Sequence, residues 1–157
     1  MNQQKQSPSA NMTNDEIMQR MRLENDRHAL EHERRRAYIL TFGCQQNEAD
    51  SERLAGMSEA MGYALTDEPA EADLIVVNTC AIREHAEKRA LSIIGQYKHL
   101  KAKKPSLLIG VCGCMVTQEH RRYDIKHRYP YVDFVFGTPV LHRFPQMLCE
   151  RLHSPRR

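Results

Sequence analysis

The chain has 157 residues, room for one ordinary domain and an extension, and its 41% hydrophobic content suffices for a single packed core. With 23 Lys and Arg against 20 Asp and Glu the net charge is only +3, a balance that permits nucleic acid as a partner without demanding it. The apolar runs are too short to cross a bilayer and the polar start lacks the apolar segment of a secretory signal, so we expect a cytoplasmic protein with no membrane partner. In that compartment the five cysteines suit metal ligands, reactive groups or core residues better than disulfides.

Residues 1–36 form a polar, charge-rich segment that differs from the rest of the chain. The first dozen residues are mostly Gln, Asn, Ser and Pro, a composition that buries too little apolar surface to fold alone. From Asn14 a charge-dense run follows, and its apolar stripe is weak: Ile17, Met18, Met21 and Leu30. We predict a flexible or helical amino-terminal tail, and we favour a mobile, solvated extension.

Residues 37–152 alternate short apolar runs with helical patterns. The predicted strands are 37–42, 73–78, 106–111 and 132–136, and the predicted helices are 51–61, 84–103, 116–128 and 139–152. Strands that alternate with helices are typical of an α/β domain. We therefore predict an open, mostly parallel, flavodoxin-like sheet with helices on both faces and right-handed crossovers.

Three cysteines follow three of the predicted strands at the point where each strand ends: Cys44, Cys80 and Cys114, separated by 36 and 34 residues. The carboxyl ends of neighbouring parallel strands share one edge of a sheet, where such folds build their sites, so the three thiols should converge. Gly43 and Gly113 directly precede two of the cysteines, where a bound cluster would require a close approach of the backbone.

Three convergent thiolates favour zinc, copper(I) or an iron–sulfur cluster. Structural zinc usually takes four protein ligands, often from CxxC pairs, and the sequence contains no CxxC. Three cysteines fit a 4Fe–4S cluster whose fourth iron has no cysteine ligand. On the pattern alone, buried cysteines that act as small hydrophobic residues are an equally good interpretation.

The other two cysteines are predicted to be core residues. Cys112 lies on a predicted strand, and Cys149 lies within a predicted helix among apolar neighbours. A thiol redox pair of Cys112 and Cys114 is a third possibility, which we disfavour because a CxC pair suits that chemistry less well than CxxC.

The segments around the three strand-end cysteines resemble the amino-terminal domain of MiaB-type tRNA methylthiotransferases. They are residues 41–47 (TFGCQQN) with 50–52 (DSE), then 78–84 (NTCAIRE) and 110–115 (GVCGCM). The likeness runs from about residue 38 to 148 and includes 136–138 (FGT). The resemblance implies a radical S-adenosylmethionine (SAM) enzyme that attaches a methylthio group to N6-isopentenyladenosine beside the tRNA anticodon. The residues that follow Cys44 favour this branch of the family over those that modify threonylcarbamoyladenosine or a ribosomal protein.

The resemblance also implies the ligands and cofactors. Cys44, Cys80 and Cys114 would bind an auxiliary 4Fe–4S cluster that takes part in sulfur delivery. S-adenosylmethionine and a second 4Fe–4S cluster would belong to a radical-SAM barrel, whose CxxxCxxC motif is absent from this chain. We therefore expect neither that barrel nor the RNA-binding domain here, no catalytic residue, and no activity of the chain alone.

The expected partners are tRNA, through the full-length enzyme, and the radical-SAM domain. The competing interpretation is a non-catalytic α/β module, zinc-binding or metal-free, that serves as a partner surface.

Several polar residues have two open interpretations. Asn47, Asn78 and Thr79 would either donate hydrogen bonds to cluster sulfurs or cap helices. Two basic groups would either contact tRNA phosphates or form solvated faces, and we favour the second: Lys98, Lys101, Lys103 and Lys104, and His120, Arg121 and Arg122. With four Phe and no Trp, the composition gives little indication of a base-stacking platform.

Overall fold

The structure is a computed structural model that describes residues 9, 11–80 and 84–154. Within these residues the helices are α1 (Asn14–Glu31), α2 (Gln45–Ala60), α3 (Glu84–Lys103), α4 (Glu119–Arg128) and α5 (Phe144–His153). The strands are β1 (Arg36–Thr41), β2 (Ala64–Leu65), β3 (Leu74–Thr79), β4 (Leu108–Gly113) and β5 (Phe134–Phe136). Short 3-10 turns span Pro69–Glu71, Cys114–Val116 and Thr138–Arg143.

The five strands form one sheet in the order β2-β1-β3-β4-β5, and every neighbouring pair is parallel. This is the flavodoxin-like strand order, so the predicted open parallel α/β sheet is confirmed. β1, β3 and β4 are therefore direct neighbours in the middle of the sheet.

Each face of the sheet is covered by its own apolar core. Along β3, Leu74 and Val76 point to one face, while Ile75 and Val77 point to the other. The first face packs against α1, α2 and α5 through Ile17, Met21, Leu54, Phe144 and Leu148. The second packs against α3 and α4 through Ala90, Ile94 and Ile125. The predicted helices on both faces are thus confirmed.

Within the tail the helical alternative is confirmed, but over residues 14–31 the helix is packed against the domain, so the mobile extension that we favoured is wrong there. Ile17, Met21 and Asn25 are each 1% exposed. The Asn25 side chain donates to the carbonyl oxygen of Met61 at 2.8 Å and accepts from Arg35 at 2.9 Å. Residues 1–8 and 10 of the tail lie outside the described part of the chain.

Other differences from the prediction concern boundaries. α2 begins at Gln45 instead of residue 51, because its first turns are polar and give no apolar period. The predicted helix over 139–152 is divided, since Val140 has non-helical dihedral angles (φ −111°, ψ 20°) and α5 begins only at Phe144. β2 is an edge strand of two residues, too short to leave a sequence pattern. No helix in the described ranges has the length and apolar character needed to span a membrane.

Candidate metal centre

The three strand-end cysteines lie at the same edge of the sheet. The register pairs Thr41 with Asn78 and Thr79 with Gly113, so β1, β3 and β4 end side by side. Cys44, Cys80 and Cys114 follow directly after these ends. The sheet therefore brings together the three chain segments that carry the predicted ligands.

Gly43 lets the segment of Cys44 approach Cys80. Gly43 has a φ of +110°, and a Cβ atom at this position would lie 2.5 Å from the Cβ atom and 2.8 Å from the Sγ atom of Cys80. No other residue fits here, because a side chain would be strained by the backbone and would overlap the thiol. The Cys80 side chain thus packs on the backbone immediately before Cys44.

Gly113 makes the equivalent contact on the other side of β3. Its φ is +100°, and a Cβ atom would lie 2.4 Å from the carbonyl oxygen of Thr79. The backbone that leads into Cys114 therefore touches the backbone that leads into Cys80. Together, the two glycine contacts tie all three cysteine-bearing segments to one another.

The three thiols differ in exposure. Cys44 and Cys114 are exposed, Cys80 is buried, and none of the three forms a disulfide. The Cys44 thiol donates to Asn47 Oδ1 at 3.4 Å, and Cys114 Sγ lies 4.0 Å from Thr138 Oγ1. Three soft sulfur donors on touching segments fit an iron–sulfur ligand set in their chemistry.

In the part of the chain that the structure describes, the side chains do not by themselves form a metal-binding group. Among residues 9, 11–80 and 84–154, no set of three His, Cys, Asp or Glu side chains is arranged to hold a metal ion. Residues 81–83, which belong to the second predicted motif and directly follow Cys80, lie outside these ranges.

A buried polar network supports the cysteine-bearing segments. Asn47 Oδ1 lies 3.4 Å from the backbone nitrogen of Cys44 and accepts its hydrogen bond, while Asn47 Nδ2 donates to the carbonyl oxygen of Thr79 at 2.8 Å. Asn78 Nδ2 donates to the carbonyl oxygen of Asn47 at 2.8 Å and to Ser51 Oγ at 3.0 Å. Asn47 thus caps the start of α2 and also holds the end of β3 to it.

Two hydroxyl groups extend this network across the sheet. The Thr41 hydroxyl donates to Ser51 Oγ at 2.7 Å, and the Thr79 hydroxyl donates to the carbonyl oxygen of Cys112 at 2.6 Å. Asn78 and Thr79 lie on β3, so their role is to join elements and not to cap a helix. Ser51 belongs to this network, and the sequence analysis assigned its side chain no role, because a serine on a helix gives no indication of its partners.

Cys112 and Cys149 are confirmed as core residues. Both are 0% exposed and belong to the core on the face of α1, α2 and α5. Burial raises the pKa of each thiol above its ordinary value. Cys112 is enclosed while Cys114 is exposed, since the chain turns at Gly113 and the strand does not continue.

Two of the lysines considered as phosphate contacts are used in ion pairs at the opposite edge of the sheet. Lys101 Nζ lies 2.7 Å from Asp133 Oδ2, and Lys104 Nζ lies 3.1 Å from Asp73 Oδ1. Asp73 and Asp133 directly precede β3 and β5, so this edge carries the amino-terminal ends of the strands. The Asp133 side chain is 3% exposed, and the pair with Lys101 therefore serves the fold.

The comparison with known proteins identifies the family of the chain. Residues 36–137 match the uncharacterized protein family UPF0004. The chain belongs to this family. The family match thus begins at β1 and ends directly after β5. Helix α1 precedes the match, and α5 follows it.

Several curated relatives have the name tRNA-2-methylthio-N(6)-dimethylallyladenosine synthase. The one from Caldicellulosiruptor saccharolyticus is 51% identical over 119 residues, which make up 76% of this chain and 25% of the relative. Those from Clostridioides difficile and Geobacillus kaustophilus are 47% and 50% identical, over 78% and 76% of this chain and 26% and 23% of their own length. The resemblance to the MiaB-type methylthiotransferases is confirmed, and the chain spans about a quarter of the length of the curated relatives it matches.

Proposed function

We propose that this chain is the amino-terminal domain of a cytoplasmic tRNA-2-methylthio-N6-dimethylallyladenosine synthase, and that Cys44, Cys80 and Cys114 bind its auxiliary 4Fe–4S cluster. The observation that carries the proposal is the pair of glycine contacts, which hold the three cysteine-bearing segments together at one edge of the sheet. The identity to curated synthases supports the same assignment.

The chain's own residues would bind and orient the cluster. The positive φ angles of Gly43 and Gly113 fix the direction in which Cys44 and Cys114 leave the sheet. Buried Cys80 would hold the cluster against the domain, and the exposed Cys44 and Cys114 would leave its outer side open to a second domain. When bound, the cluster would supply an iron without a protein ligand, to which the sulfur for transfer could bind.

Substrate and remaining cofactors belong to the whole enzyme. S-adenosylmethionine and a second 4Fe–4S cluster would act in a radical-SAM domain that works with this one on tRNA. The chain alone would then not modify tRNA. Methylthiolation of tRNA by the purified chain with S-adenosylmethionine and a reductant would contradict this part of the proposal.

The test of the metal centre is anaerobic reconstitution with iron and sulfide, followed by an absorption spectrum and by iron and sulfide analysis. We expect about four irons and four sulfides per chain, together with the broad visible absorption of a 4Fe–4S cluster. The variants Cys44→Ala, Cys80→Ala and Cys114→Ala should each lose most of this absorption, whereas Cys149→Ala, a cysteine of the core, should retain it. A colourless protein, or one zinc ion per chain, would instead favour the non-catalytic module.

A further inference from the structure

The outer face of α4 carries an exposed aromatic stack. The Tyr123 side chain is 66% exposed, and it is the one aromatic among the large hydrophobic side chains left exposed in the described part of the chain. Its ring stacks on that of His127, with 5.7 Å between the ring centroids and an angle of 11° between the planes. Because His127 covers one side of the Tyr123 ring, the other side remains available for a flat partner.

The helix that carries this stack has more cationic than anionic side chains. α4 contains four Lys and Arg against two Asp and Glu, a large share of the chain's net charge of +3. His120, Lys126 and His127 are exposed. His120, Tyr123 and His127 are three and four residues apart, so they lie on the same side of the helix. We call His120, Tyr123, Lys126 and His127 the α4 face.

The two arginines between these residues contact neighbouring elements and position the helix. Arg121 forms an ion pair with Glu87 of α3. Arg122 donates to the carbonyl oxygen of Val116 at 3.1 Å and to that of Thr117. Val116 ends the short turn that begins at Cys114, so α4 is held directly beside the candidate metal centre.

We propose that the α4 face binds single-stranded RNA, in particular the anticodon loop of the tRNA substrate, with one base stacked on Tyr123 and a phosphate beside Lys126. Tyrosine rings stack on any base, and cations beside them match the charge of the RNA backbone. The same face would be a poor site for a tightly packed protein partner, because one aromatic ring among hydrated charges offers little apolar surface. The identity of the RNA rests on the proposed function, while the binding itself requires no cluster.

The test uses the purified chain without reconstitution and a fluorescently labelled anticodon stem–loop hairpin, with binding measured by anisotropy at several salt concentrations. We expect Tyr123→Ala to weaken binding about tenfold, the loss that corresponds to one stacked base, and Tyr123→Phe to retain the wild-type affinity. Lys126→Ala should weaken binding and reduce the salt dependence by about 0.7, as for one phosphate contact on a single strand. The matched control is Lys103→Ala, an exposed lysine at the end of α3, which should behave as wild type.

Three results would overturn the proposal. They are no binding of the hairpin by the wild-type chain, equal binding by wild type and Tyr123→Ala, and equal binding of a loop-free RNA duplex. Weaker binding of a purified radical-SAM domain to Tyr123→Ala, with unchanged RNA binding, would assign the face to a protein partner instead. Thermal unfolding of each variant identifies any that are misfolded. If Tyr123→Ala is misfolded, the RNA affinity of Tyr123→Phe tests the proposal instead.

The same variants separate this proposal from that of the metal centre. Cys44→Ala should bind the hairpin like the wild type while failing to take up iron. Tyr123→Ala should take up iron like the wild type while binding RNA weakly. If one of these two expectations fails, the other can still be interpreted, because iron uptake and RNA binding depend on different residues.

Discussion

Asn47 and Asn78 hydrogen-bond to each other in both directions at the edge of the sheet that carries the cysteines. Asn78 Nδ2 donates to the carbonyl oxygen of Asn47 at 2.8 Å, and Asn47 Nδ2 lies 3.4 Å from Asn78 Oδ1. Both residues are buried, at 3% and 0% exposure. Asn47 lies in the first turn of α2 after Cys44, and Asn78 lies two residues before Cys80, so the pair fixes one cysteine-bearing segment relative to the other.

Replacement of Asn47 by Ala should therefore destabilise the chain even without a metal. The substitution removes the buried hydrogen bond from Asn47 Nδ2 to the carbonyl oxygen of Thr79, and a buried polar group that loses its partner costs about 1–3 kcal/mol. Urea unfolding of the protein before reconstitution measures the loss. Asn11→Ala, at an exposed asparagine, is the control and should change stability by less than about 0.5 kcal/mol. Equal stability of the two variants would show that the network contributes nothing.

Gly113→Ala should be strongly destabilising. A methyl group there would lie 2.4 Å from the carbonyl oxygen of Thr79 and 2.7 Å from its nitrogen, at a φ of +100° that alanine rarely adopts. Strain of this kind costs about 1–3 kcal/mol before the overlap with the backbone is counted. The midpoint of denaturant unfolding should fall accordingly, and reconstituted iron should fall with it.

For Gly56 we expect the opposite effect of an alanine substitution on stability. Gly56 lies on α2, and a Cβ atom at this position would meet nothing within 4 Å. Gly56→Ala should therefore stabilise the protein by about 0.5–1 kcal/mol, through the higher helix propensity of alanine. If Gly113→Ala were as stable as Gly56→Ala, the role assigned to the Gly113 backbone would be wrong.

The strands and the cysteine positions could be predicted from the sequence because their signals are local. β3 is a continuous apolar run that ends in Asn78 and Thr79, and a run of this kind predicts a buried parallel strand whatever surrounds it. Cys80 follows directly, so its place at the edge of the sheet follows from the strand alone. The contacts between Gly43 and Cys80 required the register of β1 on β3, which no local pattern contains.

Two features could not be predicted because they depend on which side of a helix packs against the sheet. In α1 the third buried position is Asn25, a polar residue, so the apolar stripe is incomplete and the helix resembled a solvated one. In α4 the exposure of Tyr123 depends on Ile125 facing the sheet, and the number of aromatic residues gives no indication of it. The sequence analysis accordingly missed both the packed tail helix and the aromatic stack.

The packing of α1 can be tested at Met21. Its side chain is 1% exposed within the core shared with α2 and α5, so Met21→Ala should leave a cavity and reduce stability by about 2–4 kcal/mol. Leu30, on the same helix, is 84% exposed, and Leu30→Ala should be nearly neutral. Thermal or urea unfolding compares the two variants. A small, equal effect at both positions would mean that residues 14–31 are a solvated extension after all.

The reactivity of the five thiols provides the last test, with iodoacetamide and mass spectrometry on the chain before reconstitution. Cys44 and Cys114 are exposed and should be alkylated first, with Cys80 slower because it is buried against Gly43. Cys112 and Cys149 should react only after unfolding. Burial raises the pKa of both thiols, so at neutral pH the folded protein contains even less of their reactive thiolate than an ordinary cysteine would.

A moderate rise in pH should leave Cys112 and Cys149 unreactive in the folded chain, since their raised pKa moves thiolate formation to higher pH. In urea all five cysteines should react at similar rates, which is the control for intrinsic reactivity. Early modification of Cys112 in the folded chain would contradict its assignment to the core and would return it to the set of candidate ligands. Protection of Cys44, Cys80 and Cys114 together after reconstitution, with Cys112 and Cys149 unchanged, would instead identify the bound thiols directly.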